Sequence, residues 1–477
     1  MTRQKKLAAL TGALAVLCAL CFGASRLGRR VESAAETQAQ PILGMNSESV
    51  TAISYTHGGE ALSFSRTDGS WVYDGDGAFP LAQGYINAMV DAACALTAEK
   101  TIDAPEGEAS YGLDEPACTV VLSRGGEETT LRFGSESSMD GCLYVSDGNG
   151  KVYLTDSAVL ESFDYTLMEL VQKETLPSMQ DVTRFTVTSG SKSYELDHIE
   201  DSGLAYSDEY VWFYNTGEGY MALDTQLAES FIGKITGLSW GECVSYSADE
   251  AVLENCGLDT PMLTVTVDYT ESVRHDTGMT DSDGQAIYET RSEPASLTLE
   301  IGEYTDAGCC ARIKDSAMVY MIDASICDSL LYTSFEAQQP DEVLALDFDG
   351  VYAVDITYGG ETYTVKHAEN DSGEYVWTLD GNELAMQDVF DYIQSLYPTS
   401  SGAAKTPERQ AEISFVFHRG TEGYKEVELI FYAYDSTDCL VSLNGEARLT
   451  VSRSSVENII NDISNLITSG GEQPAEE

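Results

Sequence analysis

Histidines, cysteines and clustered carboxylates are the residues of this 477-residue chain whose types could do chemistry. The five histidines are His57, His198, His275, His367 and His418. None falls in H-x-H, in H-E-x-x-H or close to a cysteine, so a zinc site would have to converge from distant segments. His57 sits beside a hairpin glycine and His367 ends a strand, both ordinary exposed positions. Ser189-Gly190-Ser191-Lys192 spells S-x-x-K, a nucleophile arrangement that belongs at the start of a helix. Here it straddles a predicted hairpin turn, and coincidence explains it better. The stretches 73–79 (YDGDGAF) and 280–285 (TDSDGQ) gather the carboxylates that calcium prefers. Neither continues to the glutamate that completes an EF-hand loop, and Asp-Gly pairs are favoured in turns for their backbone angles alone. No catalytic, cofactor-binding or metal-ligating residue is assigned.

Two of the eleven cysteines, Cys18 and Cys21, lie in an apolar N-terminal stretch. The other nine cannot all pair internally, and no C-x-x-C occurs among them. Cys309 and Cys310 are neighbours, between which a bridge is strained. Cys94 and Cys118 lie in apolar helix-like and strand-like contexts where cysteine acts as a small hydrophobe. The reading is of mostly free thiols, which outside a membrane implies an anaerobic or reducing habitat.

Charge excludes more. With 26 basic and 79 acidic residues the formal charge is −53. Six of the cations lie in the first thirty residues (Arg3, Lys5, Lys6, Arg26, Arg29, Arg30), so the body is more acidic still. That balance argues against nucleic acid and anionic lipid, both of which need surface cations. The charge-free run Leu7–Ser25 is about long enough to cross a bilayer as a helix. It has a poor small-x-small cleavage site and no residue pattern for a lipidated cysteine. A signal anchor over 1–30 is therefore predicted, holding the acidic body on the extracytoplasmic side of the cell membrane.

The elements that would position any site recur. Hairpin patterns at 52–66, 184–197 and 353–367 each have glycine at the turn and are each followed by a tryptophan strand, at Trp71, Trp212 and Trp377. A helical stripe comes next: Ile86, Met89, Val90, Ala93, Leu96; then Leu227, Phe231, Ile232, Ile235, Leu238; then Met386, Val389, Phe390, Ile393, Leu396. Strands at 118–122, 263–267 and 413–417 resume the sheet, and segments at 151–163, 318–330 and 446–459 run from strand into helix. Asp156 or Ser157, Ser325, and Ser454 or Ser455 are placed to cap those last helices. The predicted fold is α+β: three tandem repeats, each an antiparallel sheet packed with two helices, after an N-terminal transmembrane helix. The units are 48–175, 180–340 and 345–468, with a linker at 31–47 and a polar tail at 469–477. The second unit carries 22 extra residues in or near 268–295, which read as an exposed flexible hairpin or loop.

YGLDEPACTVVL (111–122) returns 145 positions later as CGLDTPMLTVTV (256–267). Gly112 and Gly257 suit the left-handed end of a helical turn. Leu113 and Leu258 can fold back on it, Asp114 and Asp259 can bond nearby N–H groups, and Pro116 and Pro261 start an extended strand. The motif reads as a structural joint.

With that motif, the Trp strand, FPLAQGYINAMVDAACAL and KVYLTDSAVLESF, the chain resembles the bacterial family called domain of unknown function 4340, best across 48–180. The third unit has TPERQAE in place of the joint. The resemblance implies a membrane-anchored, extracytoplasmic repeat protein found alongside ABC-type transporter components, and it implies no reaction. The functional expectation is a non-enzymatic scaffold or accessory module for a membrane partner such as an ABC-type transporter. The alternatives are an extracellular glycan- or peptide-binding protein and a cell-envelope hydrolase. Oligomeric state is left open.

Overall fold

In a computed structural model, residues 40–57, 60–138, 141–200, 203–370, 372–402 and 405–469 are described. Alternating apolar and polar residues closed by tight turns make most of them strand. Residues 118–124, for example, bury every second side chain, and Gly125 and Gly126 turn the chain with φ of 58° and 90°.

The first large sheet has the spatial order β4 (Ser70–Tyr73), β3 (Glu60–Thr67), β2 (Ala52–His57), β7 (Cys118–Arg124), β8 (Glu127–Glu136), β9 (Cys142–Ser146), β10 (Val152–Asp156), β6 (Lys100–Ile102). The second runs β14 (Tyr220–Ala222), β13 (Trp212–Asn215), β12 (Lys192–His198), β11 (Val182–Ser189), β16 (Leu263–Thr280), β17 (Ala286–Thr305), β18 (Gly308–Ile313), β19 (Val319–Ile322), β15 (Cys243–Ser245). The third runs β23 (Asn382–Leu384), β22 (Tyr375–Leu379), β21 (Glu361–Glu369), β20 (Val351–Tyr358), β24 (Ala411–Arg419), β25 (Glu426–Ala433), β26 (Asp438–Leu443), β27 (Glu446–Ser452). In each, one antiparallel meander is followed by a second, and the first strands of the two meanders pair: β2 with β7, β11 with β16, β20 with β24. A fourth sheet is the short pair β1 (Gln40–Pro41) and β5 (Thr97–Ala98).

The helices are α1 (Gln83–Cys94), α2 (Thr225–Thr236), α3 (Glu250–Asn255), α4 (Ala324–Tyr332), α5 (Met386–Gln394) and α6 (Arg453–Ser469). The α1 and α5 stripes are buried as their spacing predicts. In α2 the buried face is Ala228, Phe231, Ile232 and Ile235, while Leu227 is 48% exposed. Caps sit two residues earlier than predicted in two cases. Asp156 bonds Ala158 N at 3.0 Å, Asp323 rather than Ser325 caps α4, and Ser452 Oγ accepts from Ser455 N at 3.2 Å. An N-cap lies outside the first turn, so the acceptor precedes the first helical residue.

The predicted α+β class is corrected. Strand accounts for 43% and helix for 21%, so the protein is mostly β with four antiparallel sheets, and the picture of repeats each packed by two helices does not hold. In the first unit the closing segment, Ser157–Phe163, is a 3-10 helix instead of an α-helix. The physical reason is that each unit carries far more two-residue periodicity than helical periodicity. The membrane localisation is corrected as well. Among the described residues no helix is long and apolar enough to cross a membrane; the longest, α6, has 17 residues and a polar face. The single-pass reading therefore finds no support among the described residues, and the run Leu7–Ser25 proposed as the anchor lies outside them.

The chain divides into two compact units with the boundary between Lys173 and Glu174. The second unit contains both the second and third large sheets.

Candidate functional site

Gly112 ends the turn Glu108–Tyr111 at φ 66°, and Leu113 N bonds back to Glu108 O at 3.1 Å. Gly257 (φ 64°) ends α3 in the same way, with Leu258 N bonding Leu253 O at 2.8 Å. Leu113 and Leu258 are each 1% exposed, Asp114 and Asp259 face solvent, and Pro116 and Pro261 lead into β7 and β16. A Cβ on Gly112 would lie 2.8 Å from Ser135 N, and one on Gly257 would lie 2.7 Å from Glu303 Cγ. Opposite them stand two glycines that the motif does not include. A Cβ on Gly134 would meet Tyr111 O at 2.1 Å, and one on Gly302 would meet Cys256 O at 1.8 Å. The eight motif residues thus build two glycine-to-glycine contacts and converge on no shared cavity.

Each large sheet repeats another arrangement that sequence reading misses. The cross-strand partner of each buried tryptophan is a basic residue: Arg66 for Trp71, His198 for Trp212, His367 for Trp377. The Arg66 guanidinium lies 4.8 Å from the Trp71 ring centre, and the His367 ring stacks on Trp377 at 4.2 Å. The tryptophans are 2–4% exposed, so these contacts belong to the sheets' own packing.

A cleft of about 480 Å³ lies in the second unit. Its walls are the segment Leu204–Tyr210, β14, residues 339–342, Tyr424 and the β26–β27 hairpin. Backbone and ring contacts fix the first wall. Arg419 Nη1 donates to Tyr206 O at 2.6 Å, Tyr424 Oη to Leu204 O at 3.1 Å, and Ala345 N to Tyr206 Oη at 2.9 Å. Tyr210 Oη donates to Glu342 Oε2 at 3.2 Å. Arg448 donates to Pro340 O at 2.9 Å and lies 3.4 Å from Glu446 Oε1. Burial pushes the Tyr206 and Tyr210 hydroxyls up, so both stay neutral, Tyr206 accepting from Ala345 N and Tyr210 donating to Glu342. Among the described residues no serine, cysteine or histidine lines the cleft.

The insertion of the second unit is regular. β16 and β17 continue their ladder beyond the sheet through seven pairs, from Glu271 opposite Glu293 to Thr280 opposite Ala286. The neighbouring strand β11 reaches only as far as Tyr269, and β18 begins its pairing at Leu299. Ten residues of strand project roughly 30 Å. His275 pairs with Glu293 at 2.6 Å, and the Arg274 guanidinium lies 3.9 Å from the Tyr288 ring centre. The loop at 281–285 is closed by Asp281 Oδ1, which accepts from Asp283 N and Gln285 N at 2.9 and 2.8 Å.

The remaining chemical candidates stay apart. His57 ends β2; His418 lies between Asp355 at 2.9 Å and Glu426 at 3.5 Å. Ser189 and Lys192 face each other across the β11–β12 turn. A closer Ser–Lys pair joins α2 to α4, where Lys234 Nζ donates to Ser329 Oγ at 2.6 Å. Ser329 Oγ in turn donates to Ser325 O at 2.7 Å, which leaves its proton committed to a carbonyl. Asp76 Oδ1 accepts from Ala78 N at 2.9 Å in the other acidic loop. Among the described residues no group of three or more His, Cys, Asp or Glu side chains is placed to hold a metal ion.

The model of the family described as Domain of unknown function (DUF4340) matches residues 71–210. Over that stretch the chain is similar to this family. The DUF4340 match starts at the Trp71 strand and ends at Tyr210, on the wall of the cleft, so it lies further along the chain than the 48–180 predicted from the motifs. It contains the first joint but not the second. No curated protein and no solved structure matches the chain.

Proposed function

We propose that this protein is a non-catalytic interaction scaffold whose β16–β17 arm takes an added strand from a protein partner. The single observation that carries this reading is the arm itself, an ordered ribbon whose outer edges, 271–279 and 286–296, have no neighbouring strand among the described residues. Unpaired N–H and C=O groups in a row are a template for strand addition. Glu271, Asp276, Asp281, Asp283, Glu289 and Glu293 outnumber Arg274 and Arg291 on the arm, so a basic extended segment complements it. The family resemblance suggests ABC-type transporter components as the place to look. Replacing 271–293 by an Asn-Gly turn should preserve the melting temperature and abolish partner recovery on co-purification. Equal recovery by both proteins rules the reading out.

A second reading rests on the cleft. Tyr220 and Tyr424 on its rim are 43% and 38% exposed, and flat rings beside Arg448 and Glu342 suit a neutral glycan or a short peptide. Titration calorimetry with neutral oligosaccharides and peptides, comparing wild type with Tyr220→Ala, tests it. Heat that is unchanged by the substitution places binding elsewhere.

A further inference from the structure

Strand β18 presents two adjacent cysteines, and the alternation of a strand sends them to opposite faces of the second sheet. Cys309 enters the main core of that sheet, where Cys327 of α4 also lies. Cys310 enters a separate small core with Cys256, the residue that ends α3 just before the joint glycine. We infer that β18 carries two disulfide sites, Cys309 with Cys327 and Cys310 with Cys256, one on each face of the sheet. β18 packs against α4, the helix that carries Cys327, and Cys256 and Cys310 are two of the four buried residues of the small core. All four cysteines are at most 6% exposed, and none is bridged. Adjacency in sequence, which forbids a relaxed bridge between Cys309 and Cys310, is what allows each to find a different partner.

The chemistry needs an oxidant of the disulfide class, either a low-molecular-weight disulfide or a protein disulfide. One cysteine thiolate attacks it, forming a mixed disulfide and releasing one thiol. The second cysteine thiolate then attacks the sulfur of the first cysteine and releases the other thiol. Each bridge costs the protein two protons and two electrons, and the oxidant leaves as two thiols. Burial raises the Cys309, Cys310 and Cys327 thiols, Cys310 to about 12, so they exchange slowly once folded. The bridges therefore form while the chain is folding and then resist reduction. The Cys256–Cys310 bridge encloses the whole of β16, the arm and β17.

The test is to fold the full chain in a glutathione redox buffer, then denature it without reductant, alkylate, and map the peptides. The expected result is two cross-linked species, each lighter by two hydrogens, with Cys94, Cys118, Cys142, Cys243 and Cys439 alkylated. Cys327→Ser should remove only the first bridge and Cys256→Ser only the second. The oxidised protein should melt higher than the same protein refolded in reductant. Full alkylation of all four cysteines, or a different pairing that survives in the single variants, overturns the inference.

Discussion

The glycines at the joints set the finest constraint on this molecule. Gly112 needs both its left-handed backbone and the absence of a side chain, because Ser135 N is within 2.8 Å of where a Cβ would stand. Gly112→Ala should cost about 1–2 kcal/mol from handedness alone, with the close approach adding to it; unchanged chemical denaturation would contradict this. Gly134→Ala meets a backbone carbonyl in a conformation without positive φ, so steric conflict alone drives its loss. The first glycine was legible because its motif repeats. The second was not, since Gly134 and Gly302 sit inside strands without a local signature and gain meaning only from the turn they face. The Asp355–His418 pair gives a pH test. Hydrogen bonds from Thr364 and His418 hold the Asp355 carboxyl below its ordinary value. The stabilisation is therefore present above the unfolded value, near pH 4, and is lost as pH falls through the lower folded one. Both side chains are partly exposed, which limits the effect to below about 1 kcal/mol. Asp355→Asn should lower melting at pH 7, and the gap to wild type should close on acidification.

At the scale of elements, strand and helix positions came from periodicity, while their lengths and proportions did not. The α5 stripe was readable because its polar face is clean. Phe390 on it is fully buried against Phe348, Trp377 and Phe417, with ring centres 4.7, 5.1 and 5.5 Å away. Phe390→Ala should cost about 3–5 kcal/mol in urea unfolding. Leu227 misled because its spacing also fits the stripe, and only the start of α2 at Thr225 turns it outward. The arm was legible only in part. Asp, Thr, Ser and Gly in 268–295 left a hairpin or a loop open; β16 and β17 make it a hairpin, and cross-strand contacts such as Arg274 on Tyr288 supply the order that propensity lacks.

For the whole molecule, the repeat of sheet order was visible in landmarks 295 positions apart between the first and third units. The division at Lys173 was not, because compactness depends on contacts distant in sequence. Residues 174–477 should accordingly fold alone, with a cooperative urea transition matching the one they show in the full chain; an unfolded fragment would disprove their independence. One consequence follows from the way the arm is built. It lengthens a hairpin already present in the sheet, and the β16–β17 pairing holds one register from Leu263 opposite Ile301 to Asp276 opposite Tyr288. Adding equal numbers of residues to two paired strands changes neither the register nor which side chains face inward. The position is thus a graft point: a foreign hairpin of matched parity can be spliced between Thr270 and Pro294 and be displayed without repacking the sheet beneath it.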